Sequence, residues 1–149
     1  MSQTVHAGCV ARLTPSGWAG AVIRGPSGVG KSDLALRLLE GGWVLVGDDR
    51  LHLWASKGRV FARGAPALAG LIEARGLGVL FVPRRPITEV RLLVDCLPPT
   101  AEFDRIPEKS FEAVAGVRLN RLQLRPLEAA APAKVRHALE GSAATGGPF

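Results

Sequence analysis

The sequence predicts an α/β fold built on a mixed sheet with few helices. Two observations carry this expectation. Short apolar runs of strand length recur from end to end, while only residues 32–40 and 132–140 read as helices. One of those runs, residues 20–24, leads straight into Gly25-Pro26-Ser27-Gly28-Val29-Gly30-Lys31-Ser32, and a helix follows at once. A strand, then G-x-x-x-x-G-K-[ST], then a helix is the arrangement of a phosphate-binding loop.

Taken in order, residues 5–13 have strand character, and Thr14-Pro15-Ser16-Gly17-Trp18 makes a turn. Residues 20–24 form the strand ahead of the loop. The helix over 32–40 sets Leu34 and Leu38 one turn apart and stops at Gly41-Gly42. Residues 43–46 are a buried strand ending at Gly47-Asp48-Asp49-Arg50. Residues 51–54 and 59–63 pair as a hairpin around Ser56-Lys57-Gly58. The stretch 71–82 begins polar and ends as a buried strand. Residues 89–96 give a further strand and 97–109 a proline-rich connection. Residues 117–124 alternate as a strand with one polar face. Pro132 stands near the first turn of the last helix. Residues 1–140 are expected to form a single domain, and 141–149 a flexible tail.

Length and composition fit that plan: 149 residues, 47% of them hydrophobic, suit one globular domain with a real core. No apolar run reaches the roughly 18 residues of a membrane span. The first residues lack the basic-then-apolar order of a secretory signal. Cys9 and Cys96 lie in apolar runs and read as buried free thiols, so a cytoplasmic location is expected. The net charge of +6 comes mainly from arginine, scattered along the chain without aromatic interleaving. Nucleic acid is therefore not expected. An acidic protein partner or a polyphosphate ligand accounts for the sign of the charge equally well.

Three groups of residues carry chemistry. In the loop, Gly25, Gly28 and Gly30 let the backbone turn its N–H groups toward an anion, and the helix start adds its positive end. Lys31 is expected to reach the β- and γ-phosphates, and Ser32 to ligate Mg²⁺. Asp48 and Asp49 follow a buried strand, 17 residues after Lys31. That is where a metal-holding or proton-accepting carboxylate stands beside such a loop. Two adjacent acids also repel, which is expected to raise the pKa of one. The third group is Glu73, Arg75, Gly76 and Gly78. Glu73 suits a metal shell and Arg75 a phosphate, and the two glycines suggest a close backbone approach. No His or Cys spacing fits a structural zinc, and His6 by itself carries no functional signal.

Together these pieces resemble the HPr kinase/phosphorylase family. His6-Ala7-Gly8 is similar to its His-Gly motif. Residues 25–51, GPSGVGKSDLALRLLEGGWVLVGDDRL, resemble its phosphate loop, helix and "LVADDR" run. Residues 71–79, LIEARGLGV, resemble its signature "LEIRGLGI", and Phe103-Asp104-Arg105 its "FDR" motif. The resemblance is to the short alphaproteobacterial form, with the catalytic domain alone. It implies a P-loop kinase fold of the phosphoenolpyruvate-carboxykinase-like type. It also implies ATP and Mg²⁺ as cofactors and an HPr-like phosphocarrier as partner, phosphorylated on serine. His6, Lys31, Asp48 and Arg105 match catalytic positions, and Ser32 and Glu73 match Mg²⁺ ligands. Asp48 would accept the proton of the target serine, while Asp49 would support the metal or orient His6. In the reverse direction phosphate at the loop attacks the phosphorus of phosphoserine, the serine oxygen departs and pyrophosphate is formed. The family's Gly-rich segment after residue 82 is replaced by Pro83-Arg84-Arg85-Pro86. The loop tied to dephosphorylation is matched only by Arg125. The reverse direction therefore stays open, and so does the size of the homo-oligomer the family implies. Two rival readings compete: a small-molecule P-loop kinase, and a nucleotide-sensing module without transfer.

Overall fold

The longest strand, Ile87–Cys96, is ten residues of nearly unbroken burial, ITEVRLLVDC, and the rest of the sheet is arranged around it. The computed structural model describes residues 2–142. In chain order these form β1 (Ser2–Val5), β2 (Gly8–Thr14), β3 (Gly17–Arg24), α1 (Lys31–Glu40), β4 (Val44–Gly47), β5 (Leu51–Ser56) and β6 (Arg59–Gly64). After a 3-10 turn, Pro66–Leu68, come β7 (Leu71–Ala74), β8 (Gly78–Phe81), β9 (Ile87–Cys96), β10 (Ser110–Val114), β11 (Val117–Leu124) and α2 (Ala131–Gly141).

The expected α/β class with a mixed sheet and two helices is what forms. Nine strands share one sheet, and β7 with β8 make a separate hairpin. Strand β9 pairs in parallel with β3 along one edge. Its other edge is divided: β6 pairs antiparallel with the first half, and β11 pairs in parallel with the second. Strand β2 continues from β3 to β4, both antiparallel. Side chains of β9 enter a buried cluster on each face of the sheet, which explains its largely apolar composition. Leu92, Val94 and Cys96 join one cluster with Leu34, Leu38, Val135 and Leu139 from the two helices. Val90 and Leu93 point to the opposite cluster, with Val22, Leu51, Leu53, Val60 and Ala62. Both cysteines are buried free thiols, and burial pushes the Cys96 thiol up to about 12.

The structure corrects four expectations. The run 5–13 is two strands, not one: β1 pairs with β5 while β2 pairs with β3 and β4, with the break at His6. The end of 71–82 is not a buried strand. It is half of the β7–β8 hairpin, with Val79 65% and Phe81 88% exposed. The polar face of β11 is incomplete, because Asn120 is buried and donates through Nδ2 to Ser142 Oγ at 2.8 Å. Strand β10 was not expected at all. Of the expected tail, Gly141 closes α2 and Ser142 is packed beneath it; 143–149 lie outside the described residues.

Segment 83–86 runs along the outer edge of β4. Leu45 N–H donates to Pro83 O, and Arg85 N–H donates to Leu45 O, each at 2.9 Å. The Arg85 guanidinium lies 4.5 Å from the centre of the Trp18 ring.

Candidate functional site

The loop 25–32 leaves β3 where β3 and β9 run in parallel, at the carboxyl ends of those strands. Ligands of open α/β sheets gather at such ends. Its glycines are required by geometry. A side chain at Gly25 would sit 2.8 Å from the Cys96 carbonyl oxygen. Gly28 and Gly30 have φ of 81° and 115°, in the region that L-residues avoid. Gly30 starts α1 in this left-handed conformation, with no side chain capping the helix. The first-turn N–H groups are thus unclaimed by a side chain, as an anion site needs. Lys31 Nζ folds back over its own loop, donating to Gly25 O at 2.6 Å and Pro26 O at 3.2 Å.

Strand β4 delivers the two aspartates. Asp48 is half-buried, and its Oδ1 accepts from Ser32 Oγ at 3.2 Å. The backbone N–H of Glu73, on β7, also donates to this carboxylate. Burial raises the Asp48 pKa. The Ser32 hydrogen bond opposes that rise, and Asp49 adds to it as a weaker, like-charge neighbour. The expected repulsion within the pair is therefore real, but desolvation is the larger cause. Ser32, Asp48 and Glu73 come together here, although 16 and 25 residues separate them in sequence.

The topology also explains how His6 finds Asp49. Strand β1 pairs with β5 and β2 pairs with β4, so the β1–β2 break lies beside the β4–β5 break. His6 Nε2 stands 2.8 Å from Asp49 Oδ1. The carboxylate can only accept, so Nε2 carries the hydrogen. Asp49 itself has φ of 76°, a strained conformation for a residue other than glycine. The turn at 47–50 is further confined. A side chain at Gly64 would meet Val46 O at 2.5 Å and Gly47 Cα at 2.9 Å.

The remaining candidates lie on exposed segments. Arg75, Gly76 and Gly78 lie at the exposed turn of the β7–β8 hairpin. The expected close approach at Gly76 and Gly78 is absent, for nothing lies within 4 Å of where a Cβ would sit. What requires glycine there is φ, 86° and 123°. Arg105 is exposed on the β9–β10 connection and makes no ion pair among the described residues. That connection is anchored by Arg125, which donates to Ala101 O at 2.6 Å and lies 4.6 Å from the Phe103 ring centre. Arg125 is held in turn by Glu128.

The sequence offered no sign of the ion-pair network beneath the loop. Arg24 bridges Asp95 at 2.8 Å and Glu112 at 2.5 Å, and Arg121 joins Asp95 at 3.1 Å. Hydrogen bonding to Arg24 holds the Glu112 carboxyl below its usual range. Arg24 immediately precedes the loop and stands opposite Asp95 in the β3–β9 register.

Comparison with known proteins follows the same lines. The model of the HPr Serine kinase C-terminal domain family matches residues 3–125. The HPr kinase/phosphorylase of Streptococcus sanguinis is 35% identical over 117 residues, covering 70% of this chain and 37% of that protein. The HPr kinase/phosphorylase of Mycoplasma genitalium is 29% identical over 117 residues, covering 70% of this chain and 38% of that protein. The chain thus spans little more than a third of the length of these curated relatives. The solved structure of the Hpr(Ser) kinase/phosphatase from Coxiella burnetii shares the fold. Its TM-score is 0.76, at 24% identity, over 91% of this chain and 92% of that one. With the family model spanning most of its residues, this chain belongs to the HPr serine kinase C-terminal domain family.

Proposed function

We propose that this chain transfers the γ-phosphoryl group of ATP to a serine of an HPr-like phosphocarrier, on a P-loop fold of the phosphoenolpyruvate-carboxykinase-like type. The observation that carries this reading is the contact of Ser32 Oγ with Asp48 Oδ1 at 3.2 Å, at the mouth of the phosphate loop. A half-buried carboxylate of raised pKa is a better proton acceptor than an ordinary aspartate, and it stands where a hydroxyl nucleophile must come.

Loop N–H groups and the α1 N-terminus bind the triphosphate. Lys31 exchanges its two loop carbonyls for phosphate oxygens. Asp48 takes the serine proton as the serine oxygen bonds to the γ-phosphorus and the bond to the ADP oxygen breaks. Asp49 fixes the His6 ring toward the same space. Among the described residues no group of three or more His, Cys, Asp or Glu forms a metal cage. Ser32 and one or two carboxylates, from Asp48 and Glu73, nevertheless fit Mg²⁺, which is commonly held by few protein oxygens plus phosphates and water. When bound, the ion neutralises charge that develops on the transferring group. In the opposite direction a protonated Asp48 would return its proton to the departing serine oxygen.

Asp48→Asn tests the reading. Nucleotide affinity should change little, while transfer falls by about 10²–10⁴-fold. Transfer by the variant at the wild-type rate would remove Asp48 from the chemistry.

A further inference from the structure

Arg37 lies on α1, about two turns beyond the phosphate loop, and each of its three side-chain nitrogens has a partner. Its Nε donates to Asp33 Oδ2 at 3.0 Å, one turn back along the helix. Its Nη1 donates to Glu128 O at 3.2 Å, and its Nη2 to Pro126 O. The fork therefore grips two backbone carbonyls of the segment between β11 and α2, 91 and 89 residues away in sequence. The same segment also touches the start of the helix. A Cβ at Gly30 would meet Leu127 Cδ2 at 2.9 Å and Pro126 Cγ at 3.4 Å. Residues 126–128 are thus tied to α1 at Arg37 and pressed on the phosphate loop at Gly30.

Gly30 needs such a support. It has φ of 115° and no side chain, so nothing in the residue itself selects that conformation. An unusual backbone conformation persists where its surroundings over-determine it. Pro126 and Leu127 stand where a side chain would be, and they limit how far the glycine can swing.

We propose that Arg37 is a positioning residue for the phosphate loop. By holding the carbonyls of Pro126 and Glu128 it keeps 126–128 against Gly30, and so keeps the loop N–H groups aimed before phosphate arrives. The inference rests on the phosphate-binding reading of the loop. Arg37 acts at one remove, because each of its nitrogens is already committed to Asp33 or to the 126–128 backbone. The far side of this segment is anchored independently. Arg125 donates to Ala101 O at 2.6 Å, and Glu128 pairs with Arg125 and with Lys134. Loss of Arg37 should therefore loosen the seat on α1 without releasing the segment. Ordering the backbone of one residue is worth about tenfold in an equilibrium, and a loop that must order itself on binding loses that factor.

Two variants separate this role from a purely structural one and from a general effect of charge. Arg37→Met removes the fork. Arg37→Lys keeps the charge but lacks the planar fork that serves two carbonyls at once. Calorimetry on the full chain measures binding of inorganic tripolyphosphate and of ATP, each with Mg²⁺, well below the melting temperature of every variant. Arg37→Met should weaken both ligands alike, by on the order of tenfold. Arg37→Lys should remain at least about threefold weaker than the wild type. Unchanged binding of both ligands by Arg37→Met, whatever its melting temperature, would overturn the positioning role. Full recovery of affinity in Arg37→Lys would also overturn it, by assigning the effect to charge alone. Failure of the wild-type chain to bind either ligand would overturn the phosphate-loop reading itself, and this inference with it.

Discussion

Asp48 is held in a state that costs stability. Its folded pKa lies above the ordinary value of 3.8, chiefly because it is buried. A raised carboxylate makes the folded protein bind its proton more tightly than the unfolded chain does. Stability is therefore lost as pH climbs from the unfolded value, and the loss is complete above the folded one. Asparagine carries no charge and still offers Oδ1 to the Ser32 hydroxyl and the Glu73 N–H. At neutral pH Asp48→Asn should unfold at a higher temperature than the wild type, and the gap should close in acid. A variant that melts lower at neutral pH would show that the ionised carboxylate is stabilised by its donors rather than strained by burial. Asp49 illustrates the same trade in the backbone, since a φ of 76° at a non-glycine residue costs on the order of 1 kcal/mol. In return, its carboxylate reaches His6.

At the scale of elements, the turn 47–50 is confined by the close contact of Gly47 on β4 with Gly64 on β6, strands that are not paired in the sheet. Gly64→Ala should destabilise the chain by about 1–3 kcal/mol in urea unfolding, because the new methyl meets backbone that cannot yield. A change below about 0.5 kcal/mol would mean that β4 and β6 slide apart freely. Neither glycine announced this role, whereas the strand–loop–helix unit was legible because its glycines, Lys31 and flanking periodicity lie within about a dozen residues. The β5–β6 hairpin was legible for the same local reason, with Lys57 and Gly58 at φ of 52° and 75° making the turn. What stayed hidden depends on partners distant in sequence. The break of 5–13 at His6 follows from β1 choosing β5 over β4. The exposure of Val79 and Phe81 follows from β8 joining β7 alone, outside the main sheet. An apolar run reveals that a strand forms but not which edge receives it, and β8 shows that it need not be buried.

For the whole molecule, one sheet collects the candidate residues at the carboxyl end of its parallel strands. The loop comes from β3, the acid pair from β4 and the anchored 97–109 connection from β9. The sequence named most of these residues, since each sits in a short run with its own chemical pattern. It could not show that Ser32 reaches Asp48, or that Pro126 and Leu127 pack against Gly30. Arg105 and the hairpin turn at Arg75 lie on exposed segments. The most direct measurement of the central claim is incubation of the purified chain with γ-labelled ATP, Mg²⁺ and an HPr-like carrier, followed by mapping of the label. The account predicts an acid-stable phosphoserine on the carrier, absent with Asp48→Asn. ATP binding without label on the carrier, or equal labelling by the variant, would contradict it.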